Sequence, residues 1–171
     1  MQLTYQKLTK DNIIDALKIK HQLFPESNSD EDYNNYFCGK TKSNYYLILE
    51  DNNPCATIGW YDFDNTDKNA FVGWFGVLSE YQHRHIGIEI LNYIIDEVKA
   101  LNYDYLRVYT DKEVNFASTK LYNKVFDFCE DYTYPDKLGK TNNFVIYTKC
   151  FKQSFDKWNN APLNEDDNYS F

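Results

Sequence analysis

The hydrophobic positions change their period along the chain, and these changes divide it into alternating strands and helices. Alternating or continuous apolar runs predict strands at residues 2–7, 45–50, 55–62, 69–78, 105–110, 131–134 and 144–151. Helical spacing predicts one helix that ends before Pro25 and three more at residues 29–37, 86–101 and 115–125. The predicted order is therefore β-α-α-β-β-β-α-β-α-β-β.

Two of these strands and the helix between them form a βαβ unit over residues 69–110, which predicts two neighbouring parallel strands. The helix of this unit places Ile90, Ile94, Val98 and Leu101 on one face. The predicted fold class is α/β in the α+β sense: a mixed, mostly antiparallel sheet with one parallel βαβ pair and helices on both faces. We expect one domain over residues 1–152. An acidic, aromatic tail over residues 153–171 either packs on that domain or trails from it.

The charge of the chain narrows the choice of partner. The 171 residues include 26 acidic and 18 basic side chains, which give a formal net charge of −8. Such a surface repels phosphate backbones and argues against a nucleic-acid partner. It suits a cationic small molecule or a basic peptide, or it serves solubility alone.

The sequence predicts a soluble cytoplasmic protein, as a monomer or a homodimer. It contains no apolar run long enough to cross a membrane, and residues 1–12 lack a hydrophobic signal region. The four cysteines are scattered, without a C-x-x-C pair, so we expect reduced thiols and no metal site: Cys38, Cys55, Cys129 and Cys150.

The segment 77–87 joins a predicted buried strand to the start of the longest predicted helix. Unpaired backbone N–H groups and the positive end of the helix dipole make such a start suitable for a pyrophosphate. Gly87 permits close backbone approach, and Arg84, His83 and His85 add donors. The alternative is an ordinary loop with basic residues on its surface.

A second polar pattern lies on the predicted helix at 115–125. Asn115, Ser118 and Tyr122 share one stripe of that helix and line a cleft in this interpretation. The alternative is a solvated face with an interfacial tyrosine. An adjacent apolar stripe is expected to face the sheet: Ala117, Leu121 and Val125.

Taken together, these segments resemble the GCN5-related N-acetyltransferase (GNAT) superfamily. The first segment is similar to the family's R/Q-x-x-G-x-G/A loop and its V-x-P-x-Y lead through Val77, Ser79 in place of Pro, Tyr81, Gln82, His85 in place of Gly, Gly87 and Ile88. The second is similar to N-x-x-A-x-x-L-Y-x-K through Asn115, Ser118 in place of Ala, Leu121, Tyr122 and Lys124. The resemblance covers roughly residues 1–151.

The resemblance implies acetyl-CoA as co-substrate, bound in a gap between the two parallel strands, and no metal. Phe75 and Val77 then offer backbone groups to the pantetheine arm, and Tyr122 takes the role of the general acid. The remaining cofactor-binding residues implied are Gln82, His83, Arg84, His85, Ile86, Gly87, Ile88, Asn115 and Ser118.

His85 departs from the family pattern. Its imidazole either crowds the pyrophosphate or, as we favour, accepts left-handed backbone angles and pairs with phosphate. No motif assigns the general base. The run at residues 60–64 either lines the acceptor pocket or ends a strand with exposed rings.

The acceptor implied is a primary amine of a small molecule, with or without further cationic groups, which attacks directly in a ternary complex. The stretch 23–27 resembles part of the aminoglycoside acetyltransferases, so an aminoglycoside stays open as an alternative. A protein or peptide amine is a further alternative, as is a non-catalytic acyl-CoA-binding module.

Overall fold

The computed structural model describes residues 2–25, 30–63, 65–111, 116–135 and 141–158 of the chain. These ranges contain seven strands and four α-helices in the predicted order. The elements are β1 (Leu3–Lys7), α1 (Ile13–Leu23), α2 (Glu31–Phe37), β2 (Ser43–Glu50), β3 (Asn53–Asp62), β4 (Asn69–Val77), α3 (Ile86–Ala100), β5 (Tyr105–Asp111), α4 (Phe116–Val125), β6 (Phe128–Pro135) and β7 (Thr141–Cys150).

The strands form one sheet in the order β1-β2-β3-β4-β5-β7-β6. Strands β4 and β5 are parallel, and every other neighbouring pair within the described residues is antiparallel. The predicted fold class is confirmed, including the single parallel pair on either side of α3.

A tight turn joins β2 to β3 at Asp51 and Asn52, whose φ angles are 48° and 68°. Left-handed angles at both central residues match the twist of a two-residue hairpin, and Asn tolerates them well. The turn is therefore shorter than the predicted turn at residues 51–54, and Glu50 pairs directly with Asn53. This register places Glu50 at the end of a buried strand.

Helices cover both faces of the sheet. On one face, α3 and α4 pack over the main core, and α3 buries Ile86, Ile90, Ile94 and Val98. Leu101 was predicted on the same face, but it is 42% exposed because the helix ends at Ala100 and the chain turns away there. On the other face, α1 and α2 cover a second, smaller core.

Helix α2 begins differently from the prediction. The helix was predicted from residue 29, which lies outside the described residues, and the residue before the observed helix is Asp30. The Asp30 carboxylate does not cap the helix, because it accepts a hydrogen bond of 2.8 Å from Lys20 Nζ. The charge of the fully buried Lys20 is thereby matched beneath the helix.

The described start of the tail, residues 153–158, packs on the sheet. Arg107 of β5 donates to the Asp156 carbonyl at 2.8 Å, and the Asp156 N–H donates to the Tyr105 hydroxyl at 2.8 Å. The Trp158 ring then packs edge-on against Phe71 with 5.0 Å between ring centroids. These contacts fix the tail's start beside β4 and β5, while residues 159–171 lie outside the described residues.

Two further expectations concern membranes and thiols. Among the described residues, no helix is long and apolar enough to cross a membrane. All four cysteines lie in the described residues, and none of them is in a disulfide bond.

Candidate active site

Strands β4 and β5 run together for only a short distance and then separate. Their pairing ends at Phe71 and Arg107. The cause lies in β4, where Trp74 and Phe75 together stand opposite Ile58 of β3. This β-bulge bends the strand, and Trp74 takes a left-handed φ of 48° to form it. A gap therefore opens between the two strands, as the family resemblance implies.

The open edge of β4 presents peptide groups to this gap. The Leu78 N–H donates to the Cys55 carbonyl of β3 at 2.9 Å. Peptide groups alternate in direction along a strand, so those of Val77 face the side of β5. In agreement with this, the Val77 carbonyl accepts a hydrogen bond of 2.8 Å from the Gln82 side chain.

The loop after β4 contains a run of backbone donors without partners in the described residues. His83 and His85 have φ angles of 60° and 62°, and α3 begins directly after His85. Within the described residues, the backbone N–H groups of residues 83–87 donate no hydrogen bond. Alternating left-handed residues at a helix start make a typical anion-binding loop. The left-handed backbone expected of His85 is confirmed, and a contact between its imidazole and phosphate stays a prediction.

The Arg84 side chain has a partner within the protein. Its two terminal nitrogens each donate to one Glu50 oxygen, both at 2.7 Å. Glu50 is buried, whereas the Arg84 side chain is 45% exposed. Burial and the nearby Glu50 carboxylate also raise the pKa of the Cys55 thiol to about 11. The Arg84 guanidinium is thus held by Glu50, and its backbone N–H is the group open to a ligand.

The first three residues of α3, which follow His85, are buried or half-buried. Ile86 is 1% exposed, and Gly87 and Ile88 are half-buried. A Cβ added to Gly87 would lie 3.2 Å from Leu121 Cδ2 and 3.7 Å from Phe75. Gly87 therefore lets the first turn of α3 pack closely against α4 and β4. A large residue at this position would disturb that packing as well as any phosphate contact.

Tyr122 lies inside the main core. Its ring centroid is 5.5 Å from that of Tyr147, 5.7 Å from Phe126 and 6.5 Å from Phe75 of β4. Among the described residues, the Tyr122 hydroxyl has no hydrogen-bond partner, and burial followed by the nearby Tyr147 raises its pKa above the usual range. Tyr122 therefore stays protonated at neutral pH, next to a residue at the gap.

The predicted apolar stripe of α4 is confirmed in part. Val125 is buried and Leu121 packs against the main core, as expected, whereas Ala117 is exposed. Tyr122 and Phe126 are also buried in this region. Ser118 is half-buried, and Asn115 lies outside the described residues.

The opposite face of the sheet carries residues that the motifs do not mark. The Trp74 indole N–H donates to the Asp32 carboxylate of α2 at 2.7 Å. Tyr61 lies on this face and shares a hydrogen bond with Tyr109 of β5. From the run at residues 60–64, Trp60 instead packs in the main core against Tyr103, and Asp64 lies outside the described residues. Asp32 has no signal in the sequence, because only the fold brings α2 to β4.

The described part of the chain contains no candidate metal site. No group of three His, Cys, Asp or Glu side chains there is arranged to hold a metal ion.

Solved structures share the fold. A GNAT family acetyltransferase from Elizabethkingia anophelis with acetyl-CoA bound has a TM-score of 0.65 at 16% identity, over 86% of this chain and 97% of that one. A spermidine N-acetyltransferase chimera from Vibrio cholerae and hSSAT reaches 0.69 at 13% identity, over 88% and 96%. Naa50 of Arabidopsis thaliana, in complex with the bisubstrate analogue CoA-Ac-MVNAL, reaches 0.70 at 15% identity, over 88% and 100%.

Sequence comparison supplies the family. A search among curated proteins found no match. The sequence model of the acetyltransferase (GNAT) family matches residues 12–128, which is more than half of the chain. The chain therefore belongs to the GNAT acetyltransferase family, and its enzyme class is that of the acyltransferases.

Proposed function

We propose that this protein transfers the acetyl group of acetyl-CoA to a primary amine of a small molecule. The observation that carries the proposal is the β4–β5 gap, which ends beside a loop of unpaired backbone donors at the start of α3. A pyrophosphate suits that loop, and an extended arm suits the open edge of β4.

The pyrophosphate of acetyl-CoA binds to the N–H groups of residues 83–87, because these are free of partners within the described chain. The N–H groups of Gln82 and Ile88, which were also expected to take part, donate instead to the carbonyls of Ser79 and His85. The positive end of α3 adds to this attraction. The backbones of Phe75 and Val77 bind the pantetheine arm along β4. Ser118 and Asn115 of the α4 region complete the cofactor site.

The reaction begins with an amine that has lost its ammonium proton to solvent. Its nitrogen forms a bond to the thioester carbonyl carbon, the C–S bond breaks, and the CoA thiolate takes a proton from the Tyr122 phenol. Solvent then reprotonates Tyr122 and takes the remaining amine proton. The products are the acetamide and CoA thiol, with one proton released from each ammonium substrate.

A small acceptor is favoured by the aromatic residues that crowd the face opposite Tyr122. Phe71 and Trp74 of β4 lie on that side, and Trp158 packs against Phe71. Asp32 of helix α2 accepts a hydrogen bond from Trp74. An aminoglycoside and a peptide amine are the alternative acceptors. The related folds do not choose between them, because the solved structures include both a spermidine acetyltransferase and a complex with a peptide analogue.

Two measurements test this function. Saturating acetyl-CoA should raise the melting temperature, since a ligand that binds only the native state adds RT ln(1 + [L]/Kd). CoA release is then followed over a panel of small amines, aminoglycosides and peptides. Amine-dependent release supports an enzyme, whereas binding without release on any amine supports an acyl-CoA-binding module. The absence of a thermal shift at millimolar acetyl-CoA would contradict the cofactor assignment.

A further inference from the structure

One carboxylate and four aromatic residues surround the point where β4 leaves β5, on the face opposite Tyr122. We call them the Asp32 cluster: Asp32, Tyr45, Tyr61, Trp74 and Tyr109. If the β4–β5 register continued past Phe71, Gly73 would stand opposite Tyr109. A Cβ on Gly73 would lie 3.3 Å from both the Tyr45 ring and the Tyr61 ring, so these rings border the strand at the gap.

The Trp74 ring of this cluster is held from several sides. Its indole N–H donates to Asp32, Lys20 Nζ lies 4.1 Å from a ring centroid, and Phe24 packs edge-on at 5.4 Å. The left-handed backbone of Trp74 is unfavourable for a bulky residue, and such outliers concentrate at functional sites. The indole is therefore a fixed surface that runs from the gap to Asp32.

Among the described residues, the basic side chains near this surface pair with carboxylates other than Asp32. Lys20 is matched by Asp30 at 2.8 Å, and His21 also contacts Asp30 at 3.0 Å. No Lys, Arg or His among the described residues forms an ion pair with Asp32, which is exposed. Burial, together with the Asp32 charge, raises the pKa of Tyr109, so this phenol stays neutral. An exposed carboxylate beside an aromatic ring is suited to an ammonium group.

We propose that the acceptor is a diamine whose second, non-reacting ammonium binds Asp32 while its chain lies along the Trp74 indole. This inference rests on the proposed acetyl transfer. Asp32 accepts a hydrogen bond from the indole nitrogen of Trp74 and not from the β4 backbone. The Trp74 side chain therefore separates the Asp32 charge from the gap. A carboxylate that held the reacting ammonium would also oppose its deprotonation, because an opposite charge favours the charged form.

The test compares diaminopentane with pentylamine, which differ only in the second ammonium group. The wild type should prefer the diamine by about tenfold in kcat/KM, mainly through KM, as expected for a charge-assisted hydrogen bond. Asp32→Asn should lower kcat/KM for diaminopentane by about tenfold and so remove this preference. Asp15→Asn is the matched control, because it removes the same charge from an exposed residue of α1.

Two results would overturn the inference while the proposed function stands: equal use of both amines by the wild type, or a preference that survives in Asp32→Asn. If the wild type acetylates neither amine, the amine panel decides the proposed function, and calorimetric titration with diaminopentane decides the inference. Binding that Asp32→Asn weakens about tenfold supports it, and binding that is absent or unchanged in the variant overturns it.

Discussion

Replacing Tyr122 with phenylalanine removes one oxygen atom and keeps the ring that packs in the core. The Tyr122 hydroxyl has no hydrogen-bond partner among the described residues, so we expect the free energy of unfolding to change by less than about 1 kcal/mol. For a chain of this length, the melting temperature then shifts by less than about 4 °C. Acetyl-CoA affinity should stay close to that of the wild type.

Catalysis should respond much more strongly than stability. Loss of a positioned general acid costs about 10²–10⁴ in kcat, or roughly 3–5 kcal/mol in the activation barrier. The assay is CoA release under saturation with both substrates, combined with the acetyl-CoA dissociation constant and the melting temperature of each variant. Together these measurements separate proton donation from cofactor binding and from packing.

Tyr147→Phe provides the matched control, because it removes the same atom from a neighbouring ring. The Tyr147 hydroxyl shares hydrogen bonds with Cys129, Thr119 and Asn123. We therefore expect this variant to lose about 1 kcal/mol of stability while it keeps its turnover. A Tyr122→Phe enzyme that turns over at the wild-type rate would exclude Tyr122 as the general acid, as would equal losses of turnover in both variants.

Three further predictions follow from the loop and from the buried phenol. His85→Val should weaken acetyl-CoA binding at least about tenfold, because a β-branched residue resists the φ of 62°, whereas His85→Gly keeps that backbone and should lose only the affinity of the predicted imidazole contact. Arg84→Met should lower the free energy of unfolding by about 1–3 kcal/mol in denaturant titrations, because it leaves the buried Glu50 carboxylate unpaired. Since Tyr122 has a raised pKa and stays protonated, kcat/KM should rise from about pH 7 towards the amine pKa of roughly 10 without an earlier decline.

Each of these predictions has an outcome that contradicts it. Equal acetyl-CoA affinity in the valine and glycine variants at His85 would show that the left-handed backbone is not required. An unchanged denaturation midpoint in Arg84→Met would mean that Glu50 needs no partner, and Glu50→Gln is the milder comparison for that pair. A fall in kcat/KM on the alkaline side below about pH 9 would show that a group other than a raised-pKa phenol supplies the proton.

The order of the elements could be predicted because it depends on local patterns. The period of the apolar residues distinguishes helix α3 from strands β4 and β5, and a long crossover between two strands makes them parallel. The loop after β4 could also be predicted, since a strand that leads into a helix through Gly87 leaves backbone donors at the helix start. Local sequence patterns were therefore enough to predict the fold and the free backbone donors of the loop after β4.

Contacts between distant parts of the chain could not be predicted in this way. Glu50 and Arg84 meet across 34 positions, and Asp32 and Trp74 across 42, so neither pair leaves a periodic signal. The bulge at Trp74 is also set by its surroundings, because a tryptophan has no intrinsic preference for a φ of 48°. The burial of Tyr122 and the exposure of Ala117 likewise depend on how far the neighbouring elements extend over each turn of α4, which the helical period does not give.

Acetyl transfer from acetyl-CoA to an amine is tested most sharply by following the acetyl group itself. The protein is incubated with acetyl-CoA labelled with carbon-13 in the acetyl group, together with a panel of primary amines, and the products are analysed by mass spectrometry. An acetamide that carries the label should form in an amount equal to that of free CoA. Acetyl-CoA that binds but leaves every amine unlabelled, with no CoA released above the protein-free control, would contradict it.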